Sequence, residues 1–247
     1  MILTLLLLLL VSPALPQVTV TELFDQGQKA MKENRSRDAA ELFERALAIA
    51  PPGNTALLAG LHYYRGAALG LLGDYLVAIE SLKQAIHYAP GERTYRDFLT
   101  KVEQQAAGSV IPAEQISRAL RASRSFAAES GSAAIDLWVN YEFDKDTLAK
   151  SGLEQAAELA KVLQSAAFAD SRFKLIGHTD SRGTDEYNRE LSSQRAARLR
   201  DYLVQGGMDS RRLDVEGHGE MELKAQGETE EVHAINRRVE VQLLPMK

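Results

Sequence analysis

The 247-residue chain contains no cysteine. That excludes disulfides and a thiol nucleophile, and it leaves no cysteine behind the apolar start of the chain to carry a lipid, so no lipid anchor is expected. Excess basic charge is missing too: 29 Lys and Arg stand against 34 Asp and Glu, a formal net charge of -5, with no long basic stripe. No nucleic-acid partner is expected of such a surface. Apolar runs long enough to cross a bilayer are absent as well. The opening "MILTLLLLLLVSPALPQ", residues 1–17, falls short of the ~20 residues a spanning helix needs and runs into proline and small residues. This is the shape of a secretory signal peptide, although its first residues lack Lys and Arg. The chain behind it is expected to have no transmembrane span.

Residues 20–106 are rich in Ala and Leu and contain a repeat. "LFDQGQKAMKENRSRDAAELFERALAIAP" aligns with "HYYRGAALGLLGDYLVAIESLKQAIHYAP", pairing Gly27 with Gly66, Ala39 with Ala78, Phe43 with Leu82, Ala46 with Ala85 and Pro51 with Pro90. Small residues recurring in this way suit helices that cross closely. The unit resembles the tetratricopeptide repeat, a helix-turn-helix with a proline after its second helix, although the proline spacing is 39 residues here against about 34 in the family. Tyr95, Leu99 and Val102 lie at helical spacing and predict a capping helix. A plain pair of Ala-rich helical hairpins is the alternative. The resemblance implies a module that holds another protein.

Residues 107–132 read as a connector. "AAGSVIP" interrupts the helical pattern, "AEQISRALRASRSF" predicts one short basic helix, and "AAESGSAA" is flexible by composition. Arg118, Arg121 and Arg124 recur every three residues, as on a solvated face or one lying against the following domain or an anionic polymer.

From residue 133 to 247 the pattern alternates between strand and helix. Ile135, Leu137, Val139 and Tyr141 share one side of a predicted strand; "LEQAAELAKVLQSA" predicts a helix, "RFKLIG" a strand, residues 185–205 a second helix, and "RLDVEGHG" and "RRVEVQLL" two closing strands. The fold class is thus α+β and multi-domain: helical repeats, then an α/β sandwich of βαβαββ order. Between the second strand and the second helix lies "GHTDSRGTDEYNRELSSQRA". Gly177 ends the strand, Gly183 permits a turn, and Thr184 or Asp185 can cap the helix, so backbone N–H groups gather where an anion is favoured. Arg195 falls between Leu191 and Leu199 on the stripe that should face the sheet, where a charge requires a partner. Spacing alone leaves two possibilities open, an internal salt bridge with Asp180 or a bound ligand.

That stretch, with "GHGE" and "NRRVEV" downstream, resembles the OmpA-like peptidoglycan-binding domain over about residues 133–245. The resemblance implies non-covalent binding of the diaminopimelate of the peptidoglycan stem peptide, with Asp180 and Arg195 in the places where that family grips the free amino acid end. Asn188 would order the pocket wall, Thr179 would shape the turn, and Arg237 of the "NRR" run would support the pocket. Phe143 matches the family's aromatic at the end of the first strand, whereas a ligand contact from Asp144 or Asp146 is doubtful because the turn is short. The implied setting is the periplasm or cell envelope, associated with the outer membrane, and the implied protein has no cofactor.

An enzyme is not expected. His178, Asp180, His218 and Glu220 could be proposed as ligands of a metal-dependent cell-wall hydrolase. Residues two apart, however, share a direction only on a strand, and these are assigned to loops, so no metal site is expected. No nucleophile-elbow pattern exists, and Ser192 sits within a helix without an evident base. A protein scaffold whose pocket is non-functional is the remaining alternative.

Overall fold

The computed structural model describes residues 18–130, 133–142 and 144–244. The stretch assigned to the export signal and Phe143 lie outside the described residues. Five helices open the chain: α1 Val20–Lys32, α2 Ser36–Ile49, α3 Thr55–Leu71, α4 Tyr75–Tyr88 and α5 Arg93–Ala107. Thr19 starts α1 through a capping box with Glu22, and Asn54 caps α3 by accepting from the Leu57 N–H. Successive helices pack as neighbours, α1 on α2, α2 on α3, α3 on α4, α4 on α5. The aligned repeat positions are contacts: a Cβ on Gly27 would come within 2.6 Å of the Phe43 ring, and one on Gly66 within 2.8 Å of Leu82. Phe43 and Leu82 are fully buried there, and each such side chain contributes on the order of 1.5–3 kcal/mol.

The stretch expected to be a connector with one short helix holds an 18-residue helix, α6, Ala113–Ser130. Ile116, Ala119, Leu120 and Ser123 are buried at i, i+3, i+4 and i+7, and this stripe packs against α4, α7 (Lys150–Leu163) and β1 (Ala133–Leu137). Gln155 of α7 clamps the entry to α6, accepting from the Ile111 N–H at 2.7 Å and donating to its carbonyl at 3.1 Å. The three arginines divide: Arg118 pairs with Asp74 at 2.5 Å, Arg121 bonds Ser117 of its own helix, and Arg124 lies over the Phe168 ring.

Beyond α7 come β2 Arg172–His178, α8 Asp185–Gln205, β3 Leu213–Gly219, α9 Glu230–Asn236 and β4 Val239–Leu244. The sheet order is β1-β4-β2-β3, with β4 antiparallel to β1 and β2, and β2 parallel to β3. This is the expected α+β class with one more helix than the expected βαβαββ order. The first strand also ends earlier than the alternation predicted, at Leu137, where its partner β4 begins at Val239; just beyond it Trp138 donates its indole N–H to the Ile235 carbonyl at 3.1 Å.

Close approach of α8 to the sheet depends on two glycines. A Cβ on Gly177 would meet the Ser192 carbonyl oxygen at 2.1 Å, and one on Gly217 the Ser193 nitrogen at 2.4 Å. The Ser192 hydroxyl lies in this contact, donating to the Arg189 carbonyl and accepting from the Gly219 N–H, both at 2.9 Å.

Candidate functional site

β2 delivers its last residues to a loop whose shape is set by the capping of α8. Thr184 caps the helix by accepting from the Tyr187 N–H, and Gly183 takes φ 110° to make the turn. Thr179 and Asp180 lie at the start of this loop and are 3% and 5% exposed. The Thr179 N–H donates to the Gly219 carbonyl at 2.9 Å, while its buried hydroxyl has no hydrogen-bond partner. Asn188, one turn into α8, donates to the Asp180 carbonyl at 3.4 Å and to Glu220 at 2.6 Å, fixing the loop to the turn that follows β3 (Leu213–Gly219).

These residues line a cavity of about 540 Å³ that also takes in Tyr141, Asp144, Arg182, Arg195 and Arg237. Asp180 and Arg195 thus share one pocket without bonding each other. The Asp180 carboxylate accepts from the Arg182 guanidinium at 2.6 Å and from Arg237 at 2.8 Å. Glu230, at the start of α9, pairs with Arg237 and sits 3.5 Å from Arg182. Burial pushes the Asp180 carboxyl up, but the hydrogen bonds from Arg182 and Arg237 outweigh it and hold the group at about 2.

Arg195 is only 9% exposed. Its Nε donates to the Lys145 carbonyl at 3.0 Å and its guanidinium lies 5.1 Å from the centre of the Tyr141 ring. Tyr141 is locked beneath it by donating to the Arg195 carbonyl at 2.8 Å. Among the described residues no carboxylate lies within ion-pair distance of Arg195. The side chain is therefore a desolvated cation with its donor fork unspent, and burial, with the charge of Arg237 behind it, lowers its pKa.

The remaining residues separate clearly. Asp144 reaches the pocket wall and bonds the Tyr187 hydroxyl, whereas Asp146 is taken up by Arg198 at 2.8 Å. The "NRR" run is split among three tasks. Asn236 pins the Lys224–Ala225 backbone, Arg237 faces Asp180, and Arg238 turns to Asp136 at 2.9 Å. Arg182, Tyr141 and Glu230 are among the lining residues that sequence reasoning missed. Only Arg182, two residues after Asp180 in the same turn, carried a local signal. His178 and His218 are not in loops as expected: they lie in the parallel strands β2 and β3 with ring centres 5.4 Å apart. Asp180 and Glu220 are engaged elsewhere, by arginines and by Asn188.

Residues 140–237 match the model of the OmpA family. Outer membrane protein A of Bordetella avium is 38% identical over 107 residues, which is 42% of this chain and 53% of that protein. A peptidoglycan-associated lipoprotein of Pseudomonas aeruginosa is 36% identical over 101 residues, 41% of this chain and 58% of that protein. The crystal structure of the peptidoglycan-associated lipoprotein from Burkholderia pseudomallei is similar at 26% identity and TM-score 0.39, covering 43% of this chain and 88% of that one. The chain spans little more than half the length of the two curated relatives. On the family match and these identities, the C-terminal half of the chain carries an OmpA-like domain at residues 140–237.

Proposed function

We propose that the protein is a non-enzymatic component of the cell envelope that binds peptidoglycan non-covalently through the diaminopimelate of its stem peptide. The observation that carries this is Arg195: a nine-tenths-buried guanidinium without a carboxylate partner, open to a cavity that holds Asp180 on another wall. Diaminopimelate presents a carboxylate and an ammonium on one carbon. Its carboxylate would take the planar fork of Arg195 in a charge-assisted pair. Its ammonium would take Asp180, with Arg182, whose side chain is 50% exposed, swinging out to water. Arg237 stays to balance Asp180 and Glu230, Asn188 holds the loop, and the unbonded Thr179 hydroxyl offers a further polar contact.

An ammonium can displace Arg182 because the arginine side chain is half exposed and can move into water, so that one cation on the buried Asp180 carboxylate is exchanged for another. The desolvation of Arg195 has already been met in folding, so an incoming carboxylate recovers interaction without a new burial cost on the protein's side. The likeness to proteins of the outer membrane and to a peptidoglycan-associated lipoprotein supports the same chemistry and an envelope location. The helical half is proposed to hold a second protein. Its support is a set of partly exposed aromatics on α1, α3 and α5, with Tyr63 stacked on Tyr95 at 4.6 Å and Phe24 edge-on to Tyr64 at 5.4 Å.

The deciding experiment is co-sedimentation with purified sacculi. Wild type is expected to pellet with diaminopimelate-type sacculi, and Arg195→Ala and Asp180→Ala to stay in the supernatant while remaining folded. Sacculi with lysine stems lack the side-chain carboxylate, and binding to them should weaken by about 2–5 kcal/mol. Retention of both variants would overturn the site, and equal affinity for the two stem types would overturn the ligand.

A further inference from the structure

At the ends of the parallel strands β2 and β3, His178, which lines the back of the pocket, and His218 meet Glu222 from the turn after β3, and the proposed grip on peptidoglycan uses none of the three. We propose that His178, His218 and Glu222 form a binding site for a divalent transition-metal cation of the zinc type.

One ligand atom from each of the three lies within 4.8 Å of the others. Nδ1 of His218 is 3.4 Å from Oε1 of Glu222, close to the ligand-to-ligand edge of a tetrahedron with metal bonds of about 2.0–2.2 Å. The two imidazoles meet edge to face at 80°, an attitude in which both can direct a nitrogen at one point. Their meeting follows from the strands. The register of β2 against β3 shifts between Gly177 and His178, and in both strands the glycine before the histidine faces α8, so alternation sends both histidines to the other side.

The second observation is an unsatisfied group. His178 is 3% exposed, and neither of its ring nitrogens has a hydrogen-bond partner. Buried polar atoms in native proteins are nearly all bonded, and a bare imidazole nitrogen facing another imidazole and a carboxylate is what a cation satisfies. An ordinary ion pair between protonated His218 and Glu222 would account for two of the three groups and leave His178 unexplained.

The surroundings are those of a metal ligand. Nε2 of His218 meets Oε1 of Glu216 at 3.0 Å, and Glu216 is itself held by Lys174 at 3.0 Å. A carboxylate that takes the N–H of one ring nitrogen leaves the lone pair on the other, the arrangement by which metal-binding histidines are oriented. The nearby cations are already neutralised, Lys224 and Arg238 by Asp136 at 2.7 and 2.9 Å. Two imidazoles and one carboxylate suit zinc rather than magnesium or calcium, and Glu222 and the partly exposed His218 supply an entry path and leave room for water as a fourth ligand.

The test is isothermal titration calorimetry of the untagged full chain with zinc chloride and with magnesium chloride, alongside elemental analysis after dialysis. Wild type is expected to bind one equivalent of zinc and no magnesium. Glu222→Gln and His218→Gln should each weaken zinc binding at least tenfold, and Glu216→Gln by roughly 10–100-fold. Neither Glu222 nor His218 lines the peptidoglycan pocket, so those two variants should sediment with sacculi as wild type does. Less than a tenth of an equivalent of zinc on wild type would overturn the proposal. So would unchanged zinc binding by Glu222→Gln and His218→Gln, since the metal would then lie elsewhere.

Discussion

Arg195→Met separates stability from binding, and it should move them in opposite directions. Methionine is unbranched and uncharged, and shorter than arginine. It gives up the Nε–H bond to the Lys145 carbonyl, a loss of about 0.5–1.5 kcal/mol, and exchanges a cation over the Tyr141 ring for a sulfur contact of comparable worth, about 0.3–1.5 kcal/mol. Against this, it removes a desolvated cation that no carboxylate balances. Replacing buried ionic groups with well-packed apolar ones is commonly neutral or stabilising by about 1–4 kcal/mol. The net expectation is a gain of about 1–2 kcal/mol, which raises the melting midpoint by roughly 2–8 °C at this chain length. Binding should fall by about 2–5 kcal/mol, a factor of roughly thirty to several thousand, because the ligand carboxylate enters the pocket without a donor. Differential scanning calorimetry and sacculus co-sedimentation measure the two effects on the same sample. A midpoint several degrees below wild type would mean that Arg195 is a satisfied structural residue. Wild-type retention would mean that it does not touch the ligand.

Arg182→Ala removes the exposed competitor for Asp180 and should leave stability within about 1 kcal/mol and sacculus retention equal or stronger; lost retention would show that Arg182 is part of the grip. Asp180 is held at about 2, below its ordinary 3.8, so its contribution to stability is complete above the higher value and disappears as pH falls through the lower one. The melting difference between wild type and Asp180→Asn should accordingly be constant at neutral pH and close between about pH 4 and 2; a difference that closes near pH 6 would point to another group. Asp136→Asn strips the common partner from Lys83, Lys224 and Arg238 and should cost about 3–5 kcal/mol in urea unfolding, while a change under 1 kcal/mol would mean that these cations find other partners.

Much of the architecture was legible because it rests on local patterns. The repeat register made Gly27 equivalent to Gly66 and Phe43 to Leu82, positions that the structure brings together as one kind of contact, and the strand-turn-helix around Gly177 to Gln205 announced itself through glycines and a capping threonine. Helix α9 was missed because its seven residues span less than two helical turns, too few for a periodicity to stand out. Helix α6 was underestimated for a different reason. Its arginines at every third position fit a solvated face, whereas the buried stripe of Ile116, Ala119 and Leu120 is short, and its burial depends on α4 and α7 packing against it. At the pocket, Asp180 and Arg195 were legible as residue types in the wrong kind of place: an acid in a glycine-flanked turn and a cation on an apolar stripe. Their failure to pair was not legible. It depends on Arg237, which is 57 residues away from Asp180 and reaches it only through the pairing of β4 with β2.

The same strand entry ties the pocket to the helical half. Arg237 and Arg238 are neighbours in the chain and face different partners: one bonds Asp180 in the pocket, the other Asp136. Asp136 is on β1, on the opposite face from Ile135 and Leu137 by alternation, and there it meets Lys83 of α4 at 3.5 Å. Burial pushes the Asp136 carboxyl up, but Lys224, Lys83 and Arg238 hold it far below the usual carboxylate range, so it stays charged with cations from both halves around it. Helix α9 makes a second link, packing against α5 while its first residue, Glu230, pairs with Arg237. A loosely tethered pair of modules would let the helices move without consequence for the sheet. Here a shift of α4 or α5 must be absorbed at Asp136 or at α9, and both are one residue or one ion pair from the groups that hold Asp180. The orientation of the pocket is therefore set partly by the helices.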